Sequence, residues 1–533
     1  MNQRKEERMG RTTGVVVAMV VVAGGCSPWG RLPSEGYLTL DEPLWDDGVV
    51  AAADGMYVRL PRAGSLIRLS EEGEAQEVDL GGASVESLSL APDGRTLVVF
   101  DTWPVCETDE PEVGSREECE EVGGEVVWRT GLALVRDGAL VSEEEVPGYM
   151  NRLAYAPYVE GEPSVAVAYL DYAGEDIEVS GVLNLTEVLF VDLESGTTSS
   201  KSVGFSASNV LFTSDGSEAV VLSRSQVVVV DLTVEPYETR VTFHLTLDAD
   251  QEVDALGAAL TPDDRYLLMS VVGSADLYVM DLEEEAINIV DLAAAPAAMA
   301  VDETADRTVL VYANRAQADL MDHQVFDVET VELDEPCTAL VPAGGGRMLA
   351  YNDSAATHDV YRLDASTGEV EEYRVPNPVT DVQVAPGGAY AVALQRDEWT
   401  GSGSSIDTYY DEHWVASLLD LAGDDHVDLL LGSEPVGLAF TEGGSGAPYA
   451  LLLLSGLDAL VEIDLWNAQD STLELPAPAT GIGATADGRF WITHDRALGL
   501  VTLLDPEDDS MTQISGFADA GLFPDDTLPR TEE

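Results

Sequence analysis

Positive charge is scarce in this sequence. Lys and Arg total 26 against 99 Asp and Glu in 533 residues, a formal net charge of −73, and only two residues are Lys. Such a surface repels nucleic-acid phosphates and anionic lipid headgroups. The composition therefore excludes nucleic acid as a partner, and any membrane attachment has to come from something other than charge. Adaptation to salty surroundings and binding of cations or a basic partner both remain open as interpretations.

Long apolar runs are absent near the N-terminus. Residues 15–23 form an apolar run of nine residues, whereas a bilayer-spanning helix needs about 20. A basic leader precedes the run, which is the arrangement of a signal peptide. The next residues, Ala23-Gly24-Gly25-Cys26, resemble the lipobox of bacterial lipoproteins, except that Leu is usual where Ala23 stands. The resemblance implies cleavage before Cys26, its lipidation, and, because Ser27 follows, an outer-membrane location. A plain signal peptide with an incidental cysteine is the alternative.

Cysteine is also rare, with four residues. Cys106 and Cys119 flank an acidic loop, and the export route predicts a disulfide between them. By the chain-entropy relation, closing a loop of this size would contribute about 3 kcal/mol. Cys337 begins an apolar segment and is expected to be a buried small hydrophobic residue.

Recognisable catalytic motifs are missing. The six His residues are scattered without metal-ligand spacing, and there is neither a Gly-x-Ser-x-Gly elbow nor a glycine-rich phosphate loop. We therefore predict no cofactor, with calcium as a possibility, because alternating carboxylates suit a hard cation. The candidate ligands are Asp248, Asp250 and Asp254, with Glu252 between them, and a second cluster of Asp424, Asp425 and Asp428. Neither cluster has the glycine and distant Glu of an EF-hand loop.

A repeated pattern is the strongest signal in the chain. An alternating apolar stretch meets a tight Asp/Gly turn and a second apolar stretch follows, as in residues 85–101 (VESLSLAPDGRTLVVFD). A third strand often ends in an apolar-Asp-Leu trio, as in residues 226–233 (QVVVVDLT). The candidate turns centre near Asp54, Asp93, Glu160, Asp215, Asp263, Ala305, Gly344, Gly387, Gly444 and Asp487. Four strands in about 40 to 48 residues is the spacing of a propeller blade.

Over most of residues 46–523 the chain resembles bacterial β-propellers of the YVTN/WD40-like group. We therefore predict an all-β fold, a β-propeller of four-stranded antiparallel blades with ten candidate units. Propellers usually have 4 to 8 blades, so degenerate units, one unusually large ring and two rings all remain open. The predicted organisation is a signal peptide (1–25), a linker (26–45), the propeller (46–523) and an acidic tail (524–533).

Three long insertions indicate where binding would occur. We name the strands of a blade a to d, with the Asp/Gly turn joining a to b. Residues 102–125, 172–185 and 397–413 each follow a predicted strand b, so all three should lie on one rim. Their aromatic residues stand among carboxylates and are predicted to contact a partner, although they could also pack beneath their own loops. These residues are Trp103, Tyr172, Trp399, Tyr409, Tyr410 and Trp414.

Two functional hypotheses follow. The first is a non-enzymatic scaffold, lipid-anchored at the cell envelope, that binds a protein or glycan through this rim. The alternative is a propeller enzyme of the lactonase or hydrolase type, which needs Glu, His and Arg converging on the central axis. The fold alone does not choose between them.

Overall fold

The computed structural model describes residues 48–515, except 61–64, 71–74, 81–82, 108–124, 148–149, 151, 160–163, 171–183, 235, 246–252, 303, 355, 397–412, 424, 444–445 and 495–499. The predicted boundaries of the signal peptide, linker and acidic tail, and with them Cys26, lie outside this part of the chain. Within it the structure is entirely β, and no helix suited to crossing a membrane occurs among the described residues.

Forty strands form ten four-stranded antiparallel sheets, each built from consecutive strands. The blades are numbered 1 to 10 in chain order, with the first to fourth strands of each called a to d. The strands are β1 Val49–Ala52, β2 Gly55–Leu60, β3 Ser65–Leu69 and β4 Ala75–Glu77 (blade 1); β5 Ser84–Leu90, β6 Thr96–Glu107, β7 Glu125–Arg136 and β8 Ala139–Val146 (blade 2); β9 Arg152–Tyr155, β10 Val165–Tyr169, β11 Glu187–Asp192 and β12 Thr198–Ser202 (blade 3); β13 Ala207–Phe212, β14 Glu218–Ser223, β15 Gln226–Asp231 and β16 Glu238–His244 (blade 4); β17 Ala255–Leu260, β18 Tyr266–Val271, β19 Asp276–Asp281 and β20 Ala286–Asp291 (blade 5); β21 Ala298–Asp302, β22 Arg307–Tyr312, β23 Arg315–Asp322 and β24 Val328–Glu332 (blade 6); β25 Ala339–Gly344, β26 Arg347–Tyr351, β27 Asp359–Asp364 and β28 Val370–Arg374 (blade 7); β29 Val379–Val384, β30 Tyr390–Gln395, β31 Trp414–Asp420 and β32 His426–Leu431 (blade 8); β33 Pro435–Glu442, β34 Pro448–Leu454, β35 Ala459–Asp464 and β36 Gln469–Glu474 (blade 9); β37 Ala479–Ala484, β38 Phe490–His494, β39 Leu500–Asp505 and β40 Ser510–Ser515 (blade 10).

The ten sheets form one closed ring. The middle strands are apolar on both faces, so each sheet needs a neighbour on either side. Each of ten hydrophobic clusters joins two neighbouring blades, and the last combines Val49 and Met56 of blade 1 with Trp491 and Ile514 of blade 10. The all-β propeller prediction is confirmed. Of the open alternatives, the unusually large single ring is the correct one, with ten blades.

The a–b turns explain the repeated Asp/Gly signal. Eight of the ten predicted turn centres are described, and each lies at the junction of strands a and b. Glu160 and Gly444 lie outside the described residues. In blade 8 the turn includes Gly388 with a φ of +66°, and a Cβ atom there would collide with the carbonyl oxygen of Ala343 in blade 7. Glycine at this position therefore permits both the left-handed turn and the close approach of the neighbouring blade.

The apolar-Asp-Leu trio has a structural role at the c–d turn. In eight blades the Asp that ends strand c accepts a hydrogen bond from the backbone N–H two residues later, at 2.8–3.0 Å. Hydrogen bonds from the hydroxyl and backbone N–H of Thr233 lower the pKa of Asp231. Part of the acidity of the chain is therefore explained by turn formation. The residues are Asp192, Asp231, Asp281, Asp322, Asp364, Asp420, Asp464 and Asp505.

Basic side chains connect neighbouring blades. In five interfaces an Arg or Lys of one blade donates to a backbone carbonyl at the c–d turn of the next blade; we call these contacts the cationic clasps. They are Arg136 to Leu193 (2.8 Å), Lys201 to Tyr237 (2.6 Å), Arg240 to Leu282 (2.7 Å), Arg307 to Ala365 (3.3 Å) and Arg347 to Leu421 (2.7 Å).

Candidate functional site

The strands that flank the three insertions meet them at one rim of the ring. The a–b and c–d turns define one rim, so the b–c and d–a connections define the other, which we call the b–c rim. The described strands place each insertion between strands b and c, in blades 2, 3 and 8. In blade 2, β6 and β7 are twelve residues long and stay paired from Thr96↔Arg136 to Glu107↔Glu125. The b–c hairpin of blade 2 is therefore longer than the corresponding hairpins of the other blades.

Two of the six predicted partner-binding aromatics lie in the described part of the chain. Trp103 in β6 is only 6% exposed and lies over Gly131, where a Cβ atom would overlap its ring. Trp414, the first residue of β31, is half-buried and packs against the cluster between blades 8 and 9. Both rings contribute to packing. Tyr172, Trp399, Tyr409 and Tyr410 lie outside the described residues, so the partner-binding role of the set stays a prediction.

The b–c rim also exposes an apolar patch that the sequence analysis did not identify. Phe205, Leu256 and Val272 of blades 4 and 5 are 41%, 44% and 58% exposed, and we call them the rim patch. Backbone hydrogen bonds connect their segments: Arg224 N–H donates to the Phe205 carbonyl (3.2 Å), and Val272 N–H donates to the Asp254 carbonyl (3.0 Å). An Arg224–Asp254 ion pair at 3.4 Å lies between them.

Irregular pairing explains why Leu256 is exposed. The register of β17 shifts between Ala255 and Gly257, so Leu256 is the extra residue of a β-bulge. Strand a shows the same shift after its first or second residue in six blades. The extra residues, Glu86, Ser208, Leu256, Thr380, Val436 and Thr480, are exposed or half-exposed at the b–c end of the innermost strands. These residues comprise one carboxylate, three hydroxyl-bearing and two aliphatic side chains.

Two buried histidines have hydrogen-bonded partners but no accessible nucleophile. His323 lies 2.8 Å from the Thr308 hydroxyl and 2.9 Å from the Asp306 carboxylate, an acid–histidine–hydroxyl arrangement. Thr308 is fully buried, and the group lies at the a–b rim, where it connects strands of blade 6. His494 bonds the Thr502 hydroxyl at 2.8 Å and is also fully buried. Both groups stabilise individual blades.

The calcium candidates are only partly described. Asp248, Asp250 and Asp424 lie outside the described residues. Asp254 is exposed and pairs with Arg224, and Asp428 accepts a hydrogen bond from the Ser417 hydroxyl. Over the described ranges, no three His, Cys, Asp or Glu side chains come together as a metal-binding group. The calcium prediction at Asp248, Asp250 and Asp254 stays untested.

Cys106 and Cys119 are also only partly described. Cys106 stands in β6, but its side chain and all of Cys119 lie outside the description, so their disulfide stays a prediction. Cys337 is a free, buried thiol. Burial, followed by the charges of Asp359 and Glu335, raises its pKa to about 12, which makes it a poor nucleophile.

A cleft of about 220 Å³ lies between blades 10 and 1, away from the insertions. Its lining is mainly aliphatic and includes Ala51, Met56, Leu69 and Ile514. At its edge, Arg489 donates to Asp487 at 2.6 Å, so these two charges are already paired. The cleft is an apolar space beside the ring-closing cluster.

Comparisons with known proteins identify no family for this chain. No family model and no curated protein matches this chain. Among solved structures, hydrazine synthase of Kuenenia stuttgartiensis is 14% identical over 57% of this chain and 94% of its own, with a TM-score of 0.33. Apo AztD from Citrobacter koseri is 14% identical over 62% and 92%, with a TM-score of 0.34. At these identities and TM-scores, the likenesses carry no argument about the family or the activity of this chain.

Proposed function

We propose that this ten-bladed propeller is a non-enzymatic binding scaffold, anchored in the outer membrane through lipidated Cys26, that binds a protein through its b–c rim. The observation that carries the proposal is the occurrence of the rim patch on the rim where the strands flanking all three long insertions end. Exposed apolar residues surrounded by polar groups are typical of protein interfaces. A glycan partner would instead depend on the aromatic residues of the insertions.

Charge supports a selective contact. The full chain has a formal net charge of −73. The rim patch is therefore an apolar surface on a strongly acidic molecule. Like-charged proteins are repelled, so long-range attraction favours a partner with a basic surface around an apolar centre. The rigid ring holds the patch and the insertions in a fixed arrangement, which lowers the entropy cost of binding.

The test is photo-crosslinking of the full-length lipoprotein in intact envelopes, with a photoreactive residue at position 272 or 325. Val325 is the matched control because it is an aliphatic residue, 63% exposed, on the c–d turn of blade 6 at the opposite rim. We expect a discrete protein adduct from position 272 that Leu256→Glu abolishes and Val234→Glu, on the a–b rim, does not. Equal adducts from both positions, or adducts unaffected by Leu256→Glu, would refute the proposal, and adducts containing only glycan would refute the choice of a protein.

A further inference from the structure

One position in strand c faces the next blade in blades 3 to 10. It lies two residues before the Asp that caps the c–d turn. In six of the eight blades with this Asp, the residue is apolar and lies in the cluster shared with the following blade: Phe190, Val229, Val279, Leu320, Leu418 and Leu503. Blade 7 has Arg362 at this position and blade 9 has Glu462.

Arg362 shows what a charge does at this position. Its guanidinium donates to the carbonyls of Leu421 (2.6 Å) and Gly423 (3.1 Å) in the c–d turn of blade 8. A cation is therefore matched by oxygen acceptors of the neighbouring blade. This adds to the clasp that Arg347 makes in the same interface.

At the interface between blades 9 and 10, the same position is occupied by Glu462, a carboxyl group instead of a guanidinium group. Its side chain is only 5% exposed, and its buried Oε2 atom has no hydrogen-bond partner among the described residues. A carboxylate is acceptor-only, so in its ionised form it cannot donate to a neighbouring carbonyl as Arg362 does. The interface between blades 9 and 10 therefore has a buried acceptor where blades 7 and 8 have a donor.

The surrounding charges make ionisation of Glu462 still less favourable. Asp464 follows on its own strand, and Asp505 and Asp509 face it from blade 10. Tyr449 of β34 lies near the same carboxylates and near Glu507. Arg489 of blade 10 lines the cleft toward blade 1 and pairs with Asp487. Burial, followed by Asp509, Asp464 and Asp505, raises the pKa of Glu462 to about 7. Because no three carboxylates converge as a metal site in the described residues, a proton fits this position better than a metal ion.

We propose that the interface between blades 9 and 10 is a proton-dependent latch, in which a proton on Glu462 supplies the donor that Arg362 supplies between blades 7 and 8. Loss of the proton leaves a buried charge and weakens the packing of blade 10 on blade 9. On its other side, blade 10 forms the ring-closing cluster with blade 1. The latch therefore controls the packing of blade 10 on blade 9 and leaves its contact with blade 1 unchanged. The stabilisation is complete below the ordinary pKa of Glu and is lost as the pH rises through about 7.

The test combines thermal unfolding and hydrogen exchange of the full-length protein in detergent with a chelator at pH 6 and pH 8. Titration with a folded-state pKa of about 7 predicts an unfolding constant about tenfold larger at pH 8 than at pH 6. Faster exchange, corrected for the intrinsic pH effect, should be confined to blades 9 and 10. Glu462→Gln should remove both effects, whereas the exposed control Glu474→Gln should keep them.

Glu462→Leu, the type of residue found in six other blades, is a second variant in case the amide disturbs packing. An unchanged pH dependence in either folded variant would overturn the proposal. Exchange that increases equally in all ten blades would also overturn it.

Discussion

The paired arginines between blades 7 and 8 allow a quantitative prediction. The Leu421 carbonyl accepts from both Arg347 (2.7 Å) and Arg362 (2.6 Å), and the Gly423 carbonyl accepts from both Arg362 (3.1 Å) and the Tyr373 hydroxyl (3.0 Å). Both turn carbonyls that Arg362 contacts therefore keep another donor when Arg362 is removed, although its ion pair with Glu371 is lost. The same holds for Leu421 when Arg347 is removed.

This redundancy makes the single substitutions mild and the double substitution severe. Replacement of either Arg by Met keeps most of the side-chain volume, and we expect a loss of about 1 kcal/mol for each. The double variant leaves the Leu421 carbonyl without either donor, in a residue that is 1% exposed. An unsatisfied buried acceptor costs about 1–3 kcal/mol more. The double variant should therefore lose about 3–5 kcal/mol, more than the sum of the single losses.

The assay is a double-mutant cycle by urea unfolding, with far-UV circular dichroism and tryptophan fluorescence as independent probes. Arg95→Met, on an exposed residue of the a–b turn of blade 2, controls for the change in net charge. A double loss equal to the sum of the single losses within about 0.5 kcal/mol would refute the reasoning, because independent sites are additive to that precision.

Three further predictions concern single residues. Tyr57→Phe should lower the free energy of unfolding in urea by about 2–3 kcal/mol. The reason is that the Tyr57 hydroxyl donates to Asp54 (2.7 Å) and accepts from the Gly138 N–H (2.8 Å) of blade 2. An unchanged urea midpoint would contradict this prediction. Cys337, with its pKa raised to about 12, should react with a thiol reagent at pH 8 only after unfolding, and rapid labelling of the native protein would show that the thiol is accessible. Cys26→Ala should release the protein from membranes in a sedimentation assay; continued sedimentation with membranes would exclude the lipid anchor.

The local parts of this fold could be predicted from the sequence. Turns such as residues 91–94 (APDG) identify the a–b junctions because the residues needed for positive φ are adjacent in the chain. The Asp at the end of strand c was visible as a repeated trio, although its turn-capping role was not. The number of blades in one ring could not be derived, because closure depends on Val49 and Ile514, which lie at opposite ends of the described chain.

The contacts between blades and the rim patch were not predictable for a similar reason. Arg347 and Leu421 are 74 residues apart, and no local pattern distinguishes this Arg from a surface Arg. Leu256 reads as an inward residue of an alternating strand, and only the bulge in β17 exposes it. Single-residue register shifts reverse the face of a side chain without a change in composition.

The few basic residues explain how so acidic a chain holds its blades together. The cationic clasps connect blades 2 to 3, 3 to 4, 4 to 5, 6 to 7 and 7 to 8, always from one blade to the c–d turn of the next. These five basic side chains therefore act between blades, where a low dielectric strengthens their hydrogen bonds to the turn carbonyls. Between blades 9 and 10, the carboxyl of Glu462 lies at the strand-c position that Arg362 occupies between blades 7 and 8. Closure of the ring depends instead on the apolar cluster between blades 10 and 1, so hydrophobic burial has to hold the last blade on one side while protonation of Glu462 sets its attachment on the other.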